Sequence, residues 1–382
     1  MTSRPSSPLR RIRLADPRLG TATAEAVRSV LTSGHLTMGP RVAQFEELVA
    51  AHSGVSHAVA TSSGTTALHL ALMGLGIGRG DEVIVADFTH PATGNVVRQA
   101  GAALRLADVE RTTFTINVAA VRRAITSRTR LVIAVDAFGL PANYPELEHL
   151  ASSHGILVLA DAACSLGASI GDRRSGQFGI AACLSFHPRK IVTTGEGGMV
   201  LTDDAALASR FRRLRNHGSV PLGSRVRFAE MGFNYRMSDI LAAVGIEQLH
   251  RLDEILAARR DRAAALLTLL ESSPGVTPQA PPAGYRTSWQ SFVVELDERI
   301  DRDEVVKELS EAGIEATIGT YALHLEPAFE GCWDDGADAP VVSRDLARST
   351  LALPLHPGID DDDLQRIAAG LTGAVATQLA TF

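Results

Sequence analysis

The chain contains only two lysines, Lys190 and Lys307, beside 35 arginines. A lysine amine can lose its proton and add to a carbonyl to form a Schiff base, which a permanently charged guanidinium cannot do. Lys307 lies in DRDEVVKELSEAG, where the apolar residues share one face of a predicted helix and the lysine points away from it. Lys190 lies in CLSFHPRKIVTTGEGGMVLT, between two apolar runs and among serine, threonine and glycine. Amine chemistry is therefore expected at Lys190.

A second feature is the segment TSSGTTALHLAL, where a predicted strand ends and a helix begins. The first N–H groups of a helix and the positive end of its dipole bind phosphate groups. Gly64 would let the backbone approach a phosphate closely, and Thr65 and Thr66 would add hydroxyl donors. Alone, the segment is more typical of an ordinary helix N-cap. The chain contains neither G-x-x-x-x-G-K-[ST] nor G-x-G-x-x-G, so the usual nucleotide-binding loops are not predicted.

Asp161 ends the apolar run ILVLAD, at the carboxyl end of a predicted buried strand. A buried carboxylate left without a partner costs roughly 3–5 kcal/mol, so Asp161 needs a proton or a cation. It either caps the next helix or faces a protonated ring nitrogen. An amine, a carboxylate and a phosphate cradle at strand ends, with Ser185 near the amine, are the groups that pyridoxal 5′-phosphate (PLP) requires.

Six apolar runs predict the strands that position these residues: 57–61, 81–87, 130–136, 156–161, 183–187 and 198–202. Most are continuous rather than alternating, which is typical of strands covered by helices on both faces. The expected fold class is α/β, with a mostly parallel sheet between helices in a large domain over residues 15–248. A long helix from about Leu249 and a proline-rich segment then lead into a smaller α+β domain over residues 249–382.

Composition argues against several classes of protein. With 45% hydrophobic residues, 21% charged residues and a net charge of -6, the chain has no basic stripe, so neither nucleic acid nor a membrane is an expected partner. No apolar run is long enough to span a bilayer, and no apolar segment follows the basic N-terminus as in a secretory signal. Three scattered cysteines predict neither a disulfide framework nor a metal site. We expect a cytoplasmic protein with reduced thiols and no bound metal.

Further segments extend the pattern along the chain in a fixed order. They include FEELVAAHSGVSHAVATSSGTTALHLAL, DEVIVADFTHPATGNVVRQAGA, VLADAACSLGA, SFHPRKIVTTGEGGMV and GFNYRMSDILAAVG. This ordered set resembles the DegT/DnrJ/EryC/StrS family of sugar aminotransferases, a branch of the fold type I PLP enzymes. The resemblance covers nearly the whole chain, and the segment around Lys190 is its most specific part.

The resemblance implies an aspartate-aminotransferase-like fold, PLP as cofactor, and a role for each matching position. Lys190 would carry the cofactor as an imine and move protons, and Asp161 would pair with the pyridine nitrogen. The phosphate would be held by Gly64, Thr65 and Ser185. Asn234, in GFNYRMSD, would reach the phosphate of the neighbouring subunit's cofactor, which makes the active sites composite and a homodimer obligatory.

Two positions that the resemblance places against the cofactor depart from the family pattern. His90 stands where the family usually has a Phe, Tyr or Trp stacked on the ring, and imidazole is smaller and titrates near neutral pH. Cys164 stands where a Gln commonly faces the cofactor's phenolic oxygen, so it either loses that hydrogen bond or serves as a small buried filler. The resemblance also places His217, Tyr321 and His324 near the substrate.

Three functions remain open from the sequence. The resemblance implies transfer of an amino group from glutamate or glutamine to a keto group of a nucleotide-linked sugar, cyclitol or related secondary-metabolite intermediate. The substitutions at His90 and Cys164 leave a PLP-dependent lyase, dehydratase or cyclase as the alternative, although family dehydratases that replace the lysine with histidine differ from this chain. A non-catalytic paralogue is disfavoured, because it has no physical need to keep Lys190, Asp161 and Asn234 together.

Overall fold

The computed structural model describes residues 10–332 and 340–380. The helices of that part of the chain are α1 (Thr21–Ser33), α2 (Pro40–Ser53), α3 (Gly64–Leu75), α4 (Pro91–Gln99), α5 (Val118–Ala124), α6 (Tyr144–His154), α7 (Ala205–Arg215), α8 (Asp239–Leu249), α9 (Leu252–Leu270), α10 (Arg302–Glu311), α11 (Val341–Ser349) and α12 (Asp361–Leu379). Its strands are β1 (His57–Thr61), β2 (Glu82–Ala86), β3 (Phe88–Thr89), β4 (Ala103–Ala107), β5 (Thr129–Val135), β6 (Leu157–Asp161), β7 (Ser169–Ile170), β8 (Arg173–Arg174), β9 (Ala181–Ser185), β10 (Gly198–Thr202), β11 (Ser219–Leu222), β12 (Arg225–Phe228), β13 (Val276–Pro278), β14 (Tyr285–Arg286), β15 (Phe292–Leu296), β16 (Thr317–Ile318), β17 (Tyr321–Ala322) and β18 (Thr350–Leu353).

The central sheet has seven strands in the order β1-β10-β9-β6-β5-β2-β4. Neighbouring strands from β9 to β4 are parallel, whereas β10 runs antiparallel to both β1 and β9. In β2, Val83 and Val85 belong to one buried apolar cluster, and Ile84 and Ala86 belong to another. Successive side chains of a strand point to opposite faces, so both faces of the sheet are covered. This arrangement confirms the predicted α/β fold class.

The six predicted strands are observed as β1, β2, β5, β6, β9 and β10, with ends that shift by at most two residues. The sequence missed β4, whose residues read ALRLA. Ala103 is exposed there and Arg105 interrupts the apolar run, as suits a strand at the edge of the sheet. A continuous apolar run marks the buried strands and does not mark this one.

A second sheet contains the strands β13-β15-β18-β16, all antiparallel to their neighbours. Its apolar core draws residues from α9, α10 and α12, and it also includes Ile12, which forms a backbone bridge with Ile314. The long helix expected from about Leu249 is observed as α9, which begins at Leu252, because Leu249 ends the preceding helix α8. The second sheet lies within the predicted smaller domain, while the division at residues 248 and 249 itself stays a prediction.

The longest helices of the described chain, α9 and α12, have 19 residues each. Both carry acidic residues in the first turn, which suits the positive end of a helix dipole. Neither these nor any other helix of the described residues is long and apolar enough to cross a membrane.

The carboxyl ends of several central strands meet at one edge of the sheet. Because β1, β9, β6, β5 and β2 run in the same direction, the residues that follow them lie along that edge. The edge carries Ser63 after β1, Ser185 at the end of β9, Asp161 at the end of β6 and His90 shortly after β2. Ligands of open α/β sheets bind at this edge, so the fold gathers the predicted chemistry in one place.

Candidate active site

The N-terminus of α3 is closed by a reciprocal pair of hydrogen bonds. Ser63 Oγ accepts from the Thr66 N–H at 3.1 Å, and the Ser63 N–H donates to Thr66 Oγ1 at 2.9 Å. Gly64 is the first helical residue, and a Cβ there would lie 2.8 Å from the Cβ of Ser185. Only glycine therefore fits without displacing the end of β9. The ordinary N-cap that the sequence favoured is present, and the close approach at Gly64 places the Ser185 side chain beside the helix N-terminus, where a phosphate binds well.

The carboxylate of Asp161 lies buried at the end of β6, with 5% of the residue exposed. Its Oδ2 accepts from the Thr93 hydroxyl at 2.7 Å, and its Oδ1 accepts from the Ala163 N–H at 3.3 Å. Burial raises the pKa of Asp161, against the opposing effects of the Thr93 hydrogen bond and of the positive charge of Lys190. No described residue forms an ion pair with it. Asp161 is thus a buried acid that lacks a cationic partner.

Lys190 is half-buried and contacts one of the positions where the family pattern changes. Its Nζ lies 3.0 Å from Cys164 Sγ. Cys164 is itself half-buried, and its carbonyl oxygen accepts from the Ser288 hydroxyl at 3.0 Å. Lys307 differs in every respect, because its side chain is 62% exposed and pairs with Glu304 at 3.0 Å on α10. Of the two lysines, Lys190 is the one that the fold places among the strand ends.

His90 caps the N-terminus of α4, the helix that carries Thr93. Its Nδ1 accepts from the Ala92 N–H at 3.2 Å, and its ring meets the Tyr321 ring edge-on at a centroid distance of 6.5 Å. Partial burial and the positive charge of Lys190 lower the pKa of His90, with Asp161 opposing them. His90 is therefore a neutral imidazole near Lys190 at neutral pH.

The two predicted substrate residues near position 320 have different surroundings. Tyr321 lies in β17, which pairs with β3 and so brings its partly exposed side chain beside His90. The Nδ1 of His324 lies 2.6 Å from Oδ2 of the fully buried Asp87, whose Oδ1 accepts the His324 N–H at 2.8 Å. His324 thus ties its segment to the end of β2, so its geometry favours an anchoring role over the predicted contact with substrate.

His217 and Asn234 lie on neighbouring segments that are joined by backbone hydrogen bonds. The backbones of Asn234 and Asn216 form an isolated bridge, and the His217 N–H donates to the Phe233 carbonyl at 2.9 Å. His217 has a left-handed φ of 59° and its side chain is exposed, as is that of Asn234. In the described chain, no hydrogen bond joins either side chain to Lys190 or Asp161. The roles predicted for these two residues, His217 near the substrate and Asn234 at the neighbouring subunit's cofactor, stay predictions.

A cavity of about 210 Å³ opens next to this cluster. Its lining comprises Leu14, Ala15, His90, Arg189, Arg259, Gln290, Ser291, Thr317, Ile318, Gly319, Thr320, Tyr321, Ala352, Leu353 and Leu355. A cleft of about 40 Å³ contains Lys190 and again Arg259. Sequence reasoning missed both arginines and Thr93. In a chain with 35 arginines nothing local marks Arg259, whereas Thr93, three residues after His90, could have been found from the start of α4.

The cluster fits PLP, the cofactor that the resemblance implies. The buried Asp161 lacks a cation that a protonated pyridine nitrogen would supply, and Lys190 offers an amine within its electrostatic reach. The α3 N-terminus and Ser185 form a cradle that a Cβ on Gly64 would fill. Lys190, Asp161, Gly64 and Ser185 would therefore hold the group by its aldehyde, its ring nitrogen and its phosphate.

Comparisons with known proteins agree with this fit. The profile of the DegT/DnrJ/EryC1/StrS aminotransferase family matches residues 17–372. The GDP-perosamine synthase of Caulobacter vibrioides is 37% identical over 374 residues, which cover 96% of this chain and 98% of that protein. S. venezuelae DesV, solved in complex with a ketimine intermediate, has a TM-score of 0.89 at 34% identity, covering 96% of this chain and 99% of DesV. DesI, solved in the presence of its TDP-sugar product, has a TM-score of 0.89 at 33% identity, covering 99% of this chain and 96% of DesI.

Proposed function

The chain belongs to the DegT/DnrJ/EryC1/StrS aminotransferase family, and we propose that it moves an amino group from glutamate or glutamine to a keto group of a nucleotide-linked sugar. It is a PLP-dependent aminotransferase. The named relatives make GDP-perosamine or were solved with a TDP-sugar product, which supports a nucleotide-sugar acceptor over a free cyclitol. The lyase, dehydratase or cyclase alternative finds no support among them.

The observation that carries this proposal is the contact between Lys190 and Cys164, three residues after the buried Asp161, which has no ion-pair partner among the described residues. PLP, when bound, supplies an electron sink for the carbon that loses or gains a proton. Lys190 moves that proton as general base and then general acid. Asp161, oriented by the Thr93 hydroxyl at 2.7 Å, supplies a negative charge in a dry environment. His90, held as the cap of α4, covers one side of the site.

The test is a pair of half-reactions with the PLP-loaded protein. Glutamate or glutamine should convert the cofactor to its amine form, and keto sugar nucleotides based on GDP and on TDP should restore it, with the aminated sugar identified by mass. Lys190→Ala should abolish both half-reactions, whereas the matched Lys307→Ala, which changes an exposed lysine on α10, should leave both intact. A cofactor that no amino donor converts would contradict transamination.

The protein acts as a homodimer with composite active sites. Large apolar side chains of the β11–β12 hairpin, Leu222, Val226 and Phe228, and Met231 three residues after it are 61–74% exposed. Such a patch on one chain is typical of a surface that meets a partner. Asn234 follows this hairpin and is exposed, so a second copy that covers the hairpin would bring Asn234 to the neighbouring site.

Mixed subunits test the composite site. A Lys190→Ala chain and an Asn234→Ala chain, co-expressed with different tags, should each be impaired alone. Their heterodimer should contain one intact site, which joins the native Lys190 of one chain to the native Asn234 of the other. A random mixture should then regain roughly a quarter of the wild-type sites, because half of the dimers are mixed and each has one good site of two. No recovery would contradict the composite arrangement.

We assign the protein to the cytoplasm. All three cysteines, Cys164, Cys183 and Cys332, are free thiols, as suits a reducing compartment. Fractionation of the native cells tests this assignment directly, and recovery of the protein outside the cytoplasmic fraction would contradict it.

A further inference from the structure

The cavity of about 210 Å³ beside His90 is positively charged. Two arginines, Arg189 and Arg259, line it, and none of the described residues in its wall is an Asp or Glu. Arg189 immediately precedes Lys190 in the chain, and Arg259 also lines the small cleft that contains Lys190. Arg259 thus lines both the cavity and the cleft of the candidate amine, and Arg189 lines the cavity one residue before Lys190 in the chain.

Neither arginine has a counterion among the residues that the structure describes. Arg189 is exposed and forms no ion pair with them. Arg259 is only 5% exposed, and its Nη1 donates to the carbonyl oxygens of Trp289, Gln290 and Leu355 at 3.1, 3.1 and 2.7 Å. Its Nε has no hydrogen-bond partner. Burial lowers the pKa of Arg259 to about 10, and no acidic neighbour opposes the effect.

A purely structural role explains only part of this arrangement. The three carbonyl contacts of Arg259 Nη1 fasten α9 to the segments before β15 and after β18, as a structural arginine would. They use one of its nitrogens and leave the positive charge without a negative partner. A buried, uncompensated charge is strongly unfavourable, and a ligand anion in the adjoining cavity would supply the missing partner.

We propose that this cavity binds a carboxylate of the amino-acid donor, with Arg189 and Arg259 as its anion-binding residues. This inference rests on the proposed transamination and names the site of its first substrate. Drug-sized ligands occupy pockets of about 300–1,000 Å³. A cavity of about 210 Å³ therefore fits an amino acid better than the larger nucleotide sugar. The hydroxyls of Ser291, Thr320 and Tyr321 in the wall add further donors for the carboxylate.

The test measures binding without turnover. Glutarate, an unreactive dicarboxylate, and the nucleoside diphosphates GDP and TDP are titrated by calorimetry into the PLP-loaded protein and its Arg189→Gln variant. Arg189→Gln should weaken glutarate binding about tenfold to hundredfold, the effect of one charge-assisted contact, and leave nucleoside diphosphate binding unchanged. Arg299→Gln, which alters an exposed arginine paired with Asp297 at 2.8 Å, is the matched control and should change neither.

Arg259→Lys provides the second variant, because it keeps the charge but loses the planar fork that carries the carbonyl contacts. If it folds, glutarate binding should fall as well; if it does not, Arg189→Gln alone decides. Unchanged glutarate affinity in Arg189→Gln, or a loss of nucleoside diphosphate binding instead, would overturn the proposal. Since glutarate needs no turnover, its binding can be read even if no keto sugar is ever aminated, which separates this inference from the proposed function.

Discussion

Asp161→Asn separates the catalytic role of the buried carboxylate from its cost to the fold. The change keeps the shape of the side chain and removes its charge. Without cofactor, Asp161 is a buried acid whose pKa is raised by desolvation. At neutral and higher pH, keeping it ionised therefore lowers the free energy of unfolding. Because the pKa of this carboxyl is higher in the folded state than in the unfolded state, its contribution to the free energy of unfolding is largest at low pH and is lost as pH rises. The cofactor-free variant should therefore be more stable than the parent at pH 8.

With PLP bound, the effect should reverse. Removing one partner of a buried charge pair costs about 3–5 kcal/mol, which corresponds to a fall of roughly 160- to 4,700-fold if the loss is felt in the rate of the donor half-reaction. PLP should also stabilise the variant less than it stabilises the parent. Thr93→Val is the control with the smaller expected effect, because it removes the 2.7 Å hydrogen bond to Asp161 but leaves the charge of Asp161 in place. We expect a loss of about 1 kcal/mol there, or roughly fivefold in rate.

The assay combines thermal unfolding with and without PLP and single-turnover conversion of the cofactor by glutamate. The expected order of rates is parent, then Thr93→Val, then Asp161→Asn far below. An Asp161→Asn protein that turns over within a few fold of the parent would refute the assignment to the ring nitrogen. A cofactor-free variant less stable than the parent would refute the argument from desolvation.

Two further predictions concern residues that support the site, the buried Asp136 and Gly64 at the start of α3. Burial raises the pKa of Asp136 to about 7, so folding takes up a proton and this residue's contribution to the unfolding free energy should fall by about 4 kcal/mol as pH rises from about 4 to 7. Asp136→Asn should flatten that slope in chemical denaturation of the cofactor-free protein, and an unaltered slope would count against the shift. Gly64→Ala should cost about 1–3 kcal/mol and weaken PLP binding, because its Cβ would meet Ser185 at 2.8 Å. Gly373→Ala, with no atom within 4 Å in α12, should instead be neutral or stabilising in the same unfolding assay; equal effects of the two changes would contradict the crowding at Gly64.

Short sequence patterns were sufficient to predict the buried strands and the helix start that carry the site. The buried strands that end at Asp161 and Ser185 are short apolar runs, and the residues around Gly64 have the pattern of a helix N-terminus. The edge strand β4 lacked such a run. The surroundings of His324 and Asp87, 237 positions apart, depend on how β17 pairs with β3, which no local pattern reveals.

Arg259 is the clearest case of a residue whose burial and partners cannot be predicted from the neighbouring sequence. Its partners are the carbonyl groups of residues 30, 31 and 96 positions away, and its burial follows from their packing against α9. In sequence it is one of many arginines on an amphipathic helix. The family resemblance alone placed Cys164 against the cofactor, and its contact with Lys190 is visible only in the folded chain.

The most direct test of the account is to reduce the PLP-loaded protein with borohydride and locate the cofactor by peptide mass spectrometry. The chain offers only two lysines for attachment, and they differ sharply in surroundings: Lys190 contacts Cys164 at the strand edge, and Lys307 pairs with Glu304 at the surface. The reduced cofactor is expected on Lys190 alone, with Lys307 unmodified. Attachment to Lys307, or no attachment to either lysine, would contradict it.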